Sequence, residues 1–185
     1  MKRCLLLVLA TLLAAPALAA AQSSDEELIA KATQAAPQRV RGGVGVVRWD
    51  ANNNRIIVKA SENGLVCWDR SDVPGTAPFA VQCSAAGNLP RFEQNRTFAF
   101  EAADADERRA MMAAAEAEGK RVVAKFGTVW YSLNGPDQEN ARLHTTIAVP
   151  NATAETVGLP DSRRLDGLWL MEAGTSSAHL MVPGL

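Results

Sequence analysis

Short β-type runs separated by turn-forming clusters fill most of the chain beyond residue 43, and they restrict it to a fold built from hairpins. Residues 44–49 and 56–59 flank Asp50-Ala51-Asn52-Asn53-Asn54. Short polar side chains of that kind bond their own backbone and favour a turn. Residues 65–68 follow Asn63-Gly64, a tight-turn pair. A loop over 69–78, broken by Pro74-Gly75 and Pro78, leads to an extended run at 79–83. Four more runs follow at 128–133, 143–149, 168–172 and 178–182. Asn134-Gly135-Pro136-Asp137 is a turn, and the five-residue loop 173–177 makes a hairpin of the last two runs.

Helical signals stand apart from these runs. Ser24 with Glu27 fits a capping box, Leu28, Ile29, Ala32, Ala35 and Ala36 form an apolar stripe, and Pro37 ends it. Residues 104–118 read as a second helix, with Asp104 and Glu107 at its cap, Asp106 in its first turn and Gly119 after its last. Met111, Met112 and Ala115 are its expected inward, core-packing residues. Helices at separate places and strands in hairpins give an α+β class: a mainly antiparallel β-sheet with an N-terminal helix and one central helix.

The first residues carry a different message. Lys2 and Arg3 precede an apolar run over 5–13, and Pro16 leads into the small-residue tract Ala17-Leu18-Ala19-Ala20-Ala21. That order is the pattern of a cleavable signal peptide over residues 1–21, cut after Ala19 or Ala21, and the apolar run is too short to span a bilayer as a helix. The expectation is therefore a periplasmic or secreted protein with one globular domain over 22–185 and no membrane span in the mature chain. Of three cysteines, Cys4 departs with the signal. Cys67 and Cys83 remain as an even pair in an oxidising compartment, which predicts a single disulfide between them. Loss of Lys2 and Arg3 leaves 17 Lys+Arg against 20 Asp+Glu, a net charge of −3. With no basic stripe, this argues against nucleic acid as a partner and leaves a small molecule or a protein.

Several motifs recur in a recognisable order. Residues 28–30 and 35–37 frame the N-terminal helix, and Asn63-Gly64-Leu65-Val66-Cys67 is an N-G-x-x-C motif, with Cys83 beyond a proline-rich stretch. Leu143-His144 leads to Val149-Pro150, followed by Gly158-Leu159-Pro160, Gly167-Leu168-Trp169-Leu170-Met171 and Gly174-Thr175 to His179-Leu180-Met181-Val182-Pro183. With these elements the chain resembles a family of uncharacterised secreted bacterial proteins. Leu65 stands where the family pattern has an aromatic, and Ser176-Ser177 replace a proline–aromatic pair. The resemblance implies the compartment and the disulfide but no activity.

Signatures of phosphate loops, nucleophile elbows, H-E-x-x-H and C-x-x-C are absent from the sequence. Asn95-Arg96-Thr97 and Asn151-Ala152-Thr153 match the N-glycosylation pattern by chance in a bacterial-type chain. Two histidines remain, His144 and His179, both in β-type runs. Strand alternation places His179 with Met181, and a hairpin pairing Glu172 with Ala178 sets Met171 opposite His179 and Trp169 opposite Met181. His144, His179, Trp169, Met171 and Met181 are thus the candidate functional surface, with the two histidines expected close together on one sheet. Imidazole with thioether is a soft ligand set suited to copper, and a shared histidine pair would suit zinc, although no cofactor is required. A hydrolase-like alternative uses His144 or His179 as general base with Thr175, Ser176 or Ser177 as nucleophile. Trp49, Trp68, Trp130 and Tyr131 could form a stacking platform for carbohydrate, or serve as core. The preferred reading is a small binding or interaction module.

Overall fold

The structure is a computed structural model that describes the backbone of residues 15–162 and 167–184, with side chains from Ser24 onward. The expected signal segment 1–21 lies largely outside these residues. Eight strands form one sheet: β1 Gly45–Trp49, β2 Arg55–Lys59, β3 Leu65–Asp69, β4 Phe79–Ala85, β5 Val129–Gly135, β6 Arg142–Ala148, β7 Trp169–Met171 and β8 His179–Pro183. Their order is β2-β1-β3-β4-β5-β6-β8-β7. All neighbours are antiparallel except β1 and β3. The α+β class, the largely antiparallel sheet and the disulfide expected from the sequence are all present.

The turns form for the reasons read from the residues. The Asp50 carboxylate accepts from the backbone N–H of Asn52 and Asn54 at 2.9 and 2.8 Å, closing the β1–β2 hairpin. Gly64 adopts φ 78°, which a side chain would resist, while Asn63 caps the entry to β3 through the Leu65 N–H at 3.0 Å. The terminal hairpin pairs Trp169 with Met181, Leu170 with Leu180 and Met171 with His179, the register expected from its loop.

Period-two alternation sorts the sheet into two faces. One carries Val46, Cys67, Val81 and Cys83 and packs under α1 (Ala15–Ala32) and the short 3-10 turn after it, through Ala32, Ala35 and Ala36. Cys67 and Cys83 face each other across β3 and β4, with Cα atoms 4.0 Å apart, and are joined in a disulfide. Lys31 on α1 reaches Asp69 at 2.5 Å and Ser71 at 3.1 Å, fastening the helix to the end of β3. α1 runs unbroken through Ser24, so the expected cap there is not formed; the alanine-rich tract before it favours continued helix.

The opposite face carries Val47, Val66 and Trp68 and is covered by α2 (Leu89–Glu101), through Leu89 and Phe92. This helix is a departure from the expectation of a single central one. Its Asn95, Thr97 and aromatic residues are poor helix formers and its apolar stripe is weak, so packing rather than propensity holds it. α3 (Ala105–Ala117) is the helix the sequence announces, with the Asp104 side chain accepting from the N–H groups of Asp106 and Glu107 at 2.8 and 2.9 Å. Met111, Met112 and Ala115 are half-buried, not core, and no residue of α3 is fully buried. The helix packs on α2 rather than on the sheet, so only one shallow side of it is covered.

Candidate functional site

Between the second sheet face and the two helices lies a cleft of about 450 Å³. Its floor comes from alternate residues of several strands. Trp49 ends β1, Trp68 and Gln82 project from β3 and β4, and Trp130 from β5. Register puts these on the same face, since Trp68 pairs with Gln82, and Ser84 with Trp130. Phe92 descends from α2 into the row. Ring centroids are 6.2 Å apart for Trp49 and Trp68, 4.8 Å for Trp68 and Phe92, and 6.0 Å for Phe92 and Trp130. His179 continues the row at 5.7 Å from Trp130. Three of the four aromatics weighed as a stacking platform therefore come together here, while Tyr131 points to the other face and packs beside the disulfide.

The walls are cationic. Arg70, Arg91, Arg96, Arg108, Arg109 and Arg121 all line the cleft, with Glu172 the one acid among its lining residues. Two of the six are neutralised: Arg96 is held by Asp72 through contacts of 3.0 and 2.5 Å, and Arg109 pairs with Asp106. The other four are not matched to a carboxylate in direct contact among the described residues. Arg91 and Arg121 are buried, at 6% and 7% exposure, and are held by neutral acceptors. Arg91 donates to the Val122 carbonyl at 2.8 Å and the Ser177 hydroxyl at 3.1 Å. Arg121 donates to the Gln94 and Asn95 side-chain oxygens, both at 2.5 Å. Burial draws Arg121 down to about 10, and the Arg91 cation beside it adds to the shift, against the partial compensation of Glu116. Arg70 is the barest of the group. Its guanidinium makes no hydrogen bond or ion pair among the described residues. It is lowered by burial and then by the nearby Arg108. Among the described residues Arg108 itself reaches only the Pro74 carbonyl, at 3.4 Å.

The patch expected on the terminal hairpin is assembled in part. Trp169, Met171, His179 and Met181 share one face through the pairs Trp169–Met181 and Met171–His179. Trp169 is buried and Met171 is exposed. The Met181 sulfur accepts from the Thr146 hydroxyl at 3.5 Å. His179 lines the cleft, and its Nδ1 lies 2.8 Å from the Ser177 carbonyl. That contact assigns Nδ1 as the N–H donor and leaves Nε2 as the acceptor of a neutral ring. Burial pushes the imidazole below its ordinary value, against the opposing pull of that carbonyl. His144 is on the same sheet face but not beside it. His144 pairs with Pro183 and Ala148 with His179, so the rings are four residues out of step on adjacent strands, roughly 13 Å at ~3.3 Å per residue. The His144 Nδ1 is buried without a hydrogen-bond partner among the described residues.

The hydroxyls near His179 are engaged elsewhere. Ser177 accepts from Arg91, Ser176 bonds the Glu116 carboxylate, and Thr175 donates to the Glu172 carbonyl at 2.8 Å. Glu172 sits at φ 56°, a left-handed conformation unusual for its residue type, at the rim of the cleft. Among the described residues no group of three or more His, Cys, Asp or Glu is arranged to hold a metal ion, and no helix is long and apolar enough to cross a membrane.

The arginines come from the end of β3, from α2, from α3 and from the segment after it. No sequence motif joins them. One faint signal is the i, i+4 spacing that sets Arg91 with Asn95 on α2 and Arg108 with Met112 on α3. No family model, curated protein or solved structure matches the chain.

Proposed function

We propose that the protein is an exported binding module and that its arginine- and tryptophan-lined cleft binds a small anionic ligand. The observation that carries this reading is Arg70. Among the described residues its partly buried guanidinium has no carboxylate or carbonyl partner, and it stands beside a second cation, Arg108. A cation withdrawn from water costs several kcal/mol unless it is paired, and a like charge alongside adds to the cost. An anion between the two guanidiniums would relieve both terms, and planar N–H donors suit the two oxygens of a carboxylate or phosphate. The cleft volume falls in the ~300–1,000 Å³ range of small-molecule sites. The net charge of the chain gives no hint of this, because the acids lie elsewhere on the surface. The N-terminal pattern and the disulfide support an oxidising compartment as the place of action.

Thermal unfolding with increasing inorganic phosphate tests the reading. A ligand that binds only the folded state stabilises it by about 2.7 kcal/mol at 100 times its Kd. Wild type should therefore melt higher as phosphate rises, and a variant carrying both Arg70→Gln and Arg108→Gln should show a clearly smaller shift. Equal shifts in the two proteins would mean that phosphate acts on general solvation, and the proposal would fall.

A further inference from the structure

The four unneutralised arginines line the cleft as two pairs set apart along the strand direction. Arg70 follows Trp68 just past the end of β3, beside the start of β4, where its backbone N–H donates to the Ala80 carbonyl at 2.8 Å, and Arg108 reaches the loop after it at the Pro74 carbonyl. Arg91 and Arg121 sit at the end marked by Trp130, where Arg91 holds Ser177 next to His179. Along β4, Ala80 and the Trp130 partner Ser84 are four residues apart, which is roughly 13 Å of strand. Each pair brings two like charges together: Arg108 depresses Arg70, and Arg91 depresses Arg121. The second pair is partly offset by Glu116, which is itself bonded to Ser176.

Donors remain at both ends. An arginine has five N–H groups. Arg70 spends none of them on the described residues, and Arg108 spends one on a long contact. Arg91 and Arg121 each spend two, on neutral acceptors. Between the ends, Phe92 and Trp130 are half-buried, so ring surface faces the cleft, and the Gln82 side chain on the floor donates to Ser132 at 2.6 Å, which leaves its amide oxygen as an acceptor.

Resting on the anion-binding reading above, we infer that the cleft holds an elongated ligand with two anionic groups, one between Arg70 and Arg108 and the other between Arg91 and Arg121, with a flat, ring-bearing body laid over Phe92 and Trp130. A single small anion would satisfy one end and leave the other pair repelling. A two-headed ligand neutralises both, and the second contact becomes intramolecular, which raises affinity without new chemistry. Rings joined between two acidic groups occur in short acidic oligosaccharides and in 5′-phosphorylated dinucleotides. Both offer carboxylate or phosphate oxygens to the guanidiniums and ring faces to the aromatic row.

The test is a titration of tryptophan fluorescence with trigalacturonate, whose outer two of three carboxylates sit on its terminal rings, and a 5′-phosphorylated diadenylate. Galacturonate and adenosine monophosphate serve as one-headed controls, and cellotriose as a neutral one. At least one two-headed probe should bind about tenfold or more tightly than its own control; which one does so identifies the source. Arg108→Gln at one end and Arg121→Gln at the other should each bring that probe down to the affinity of its control. Arg108 is on the outer helix, so its removal keeps the test usable if Arg121→Gln fails to fold. Phosphate should bind wild type with a stoichiometry of two and Arg108→Gln with a stoichiometry of one. Two-headed probes no tighter than their controls, or cellotriose as tight as trigalacturonate, would overturn the inference while phosphate binding kept the broader reading intact. Loss of phosphate binding itself would remove both.

Discussion

His179 belongs to two readings of the chain. Its place opposite Met171 follows from period-two alternation and loop length alone, and the structure has it there. Its place at the end of an aromatic row does not follow, because that depends on which strand lies beside β8. The arginines were less legible still, since side chains spread over a strand and two helices share no periodicity. Their convergence is a property of the register. The titration of His179 can be predicted with its sign. Burial holds the folded imidazole below its ordinary value near 6.5. Above 6.5 both folded and unfolded rings are neutral, and the group contributes no pH slope. As pH falls through 6.5, the unfolded chain takes up a proton that the native state resists, so stability declines until the lowered folded value is passed. Melting temperatures between pH 7.5 and 5.5, in a buffer without phosphate or polycarboxylates, should therefore fall more for wild type than for His179→Gln. Parallel curves for the two proteins would show that this ring titrates alike in both states.

At the level of elements, turns and strands were the readable part, and helices divided by the way they are held. The Asp50 and Asn63-Gly64 turns carry their own hydrogen-bonding chemistry, so local sequence places them. α3 also carries its own signals, an acidic cap and a closing Gly119 at φ 67°. α2 has Pro90 in its first turn but no side-chain cap, and it exists because Leu89 and Phe92 can bury against Val66 and Trp68. That is tertiary information. The two helices should accordingly respond differently to local change. α3 packs shallowly, so its cap is a large share of what holds it. Asp104→Ala should cost about 1 kcal/mol and raise amide exchange selectively over residues 105–117. Because Arg108 rides on this helix, phosphate affinity should weaken in the same variant. Met112→Asp tests the corrected burial of that residue. A charge in a sealed core would cost several kcal/mol, whereas Met112 is half-buried at the cleft wall, and ~1 kcal/mol is expected with a clear loss of anion binding. A severe loss of stability with unchanged binding would mean that the face is core after all.

At the scale of the molecule, the disulfide ties the cleft to the stability of the sheet. It joins β3 and β4 on the face away from the cleft, and the loop it closes has 15 residues between the cysteines, Trp68, Arg70 and Gln82 among them. The same covalent link therefore restrains one end of the aromatic floor and the guanidinium that carries the functional proposal. In the chain-entropy account a loop of this length is worth about 3 kcal/mol, gained by limiting the unfolded ensemble. A domain of this size has a net stability of about 5–15 kcal/mol, so the fold should survive without the bond but with a thin margin. Replacing both cysteines, Cys67→Ala with Cys83→Ala, should lower the urea midpoint. It should also steepen the dependence on urea, because the freed unfolded chain exposes more surface. Wild type kept in reductant should unfold at the same midpoint as the double variant. Its phosphate affinity should be weaker than that of the oxidised protein, since Arg70 would then depend on backbone hydrogen bonds and the Lys31–Asp69 contact alone. A reduced protein with an unchanged midpoint would show that the bond adds nothing to the fold. A lowered midpoint with unaltered phosphate affinity would show that the Arg70 end of the cleft is positioned by the sheet without its help.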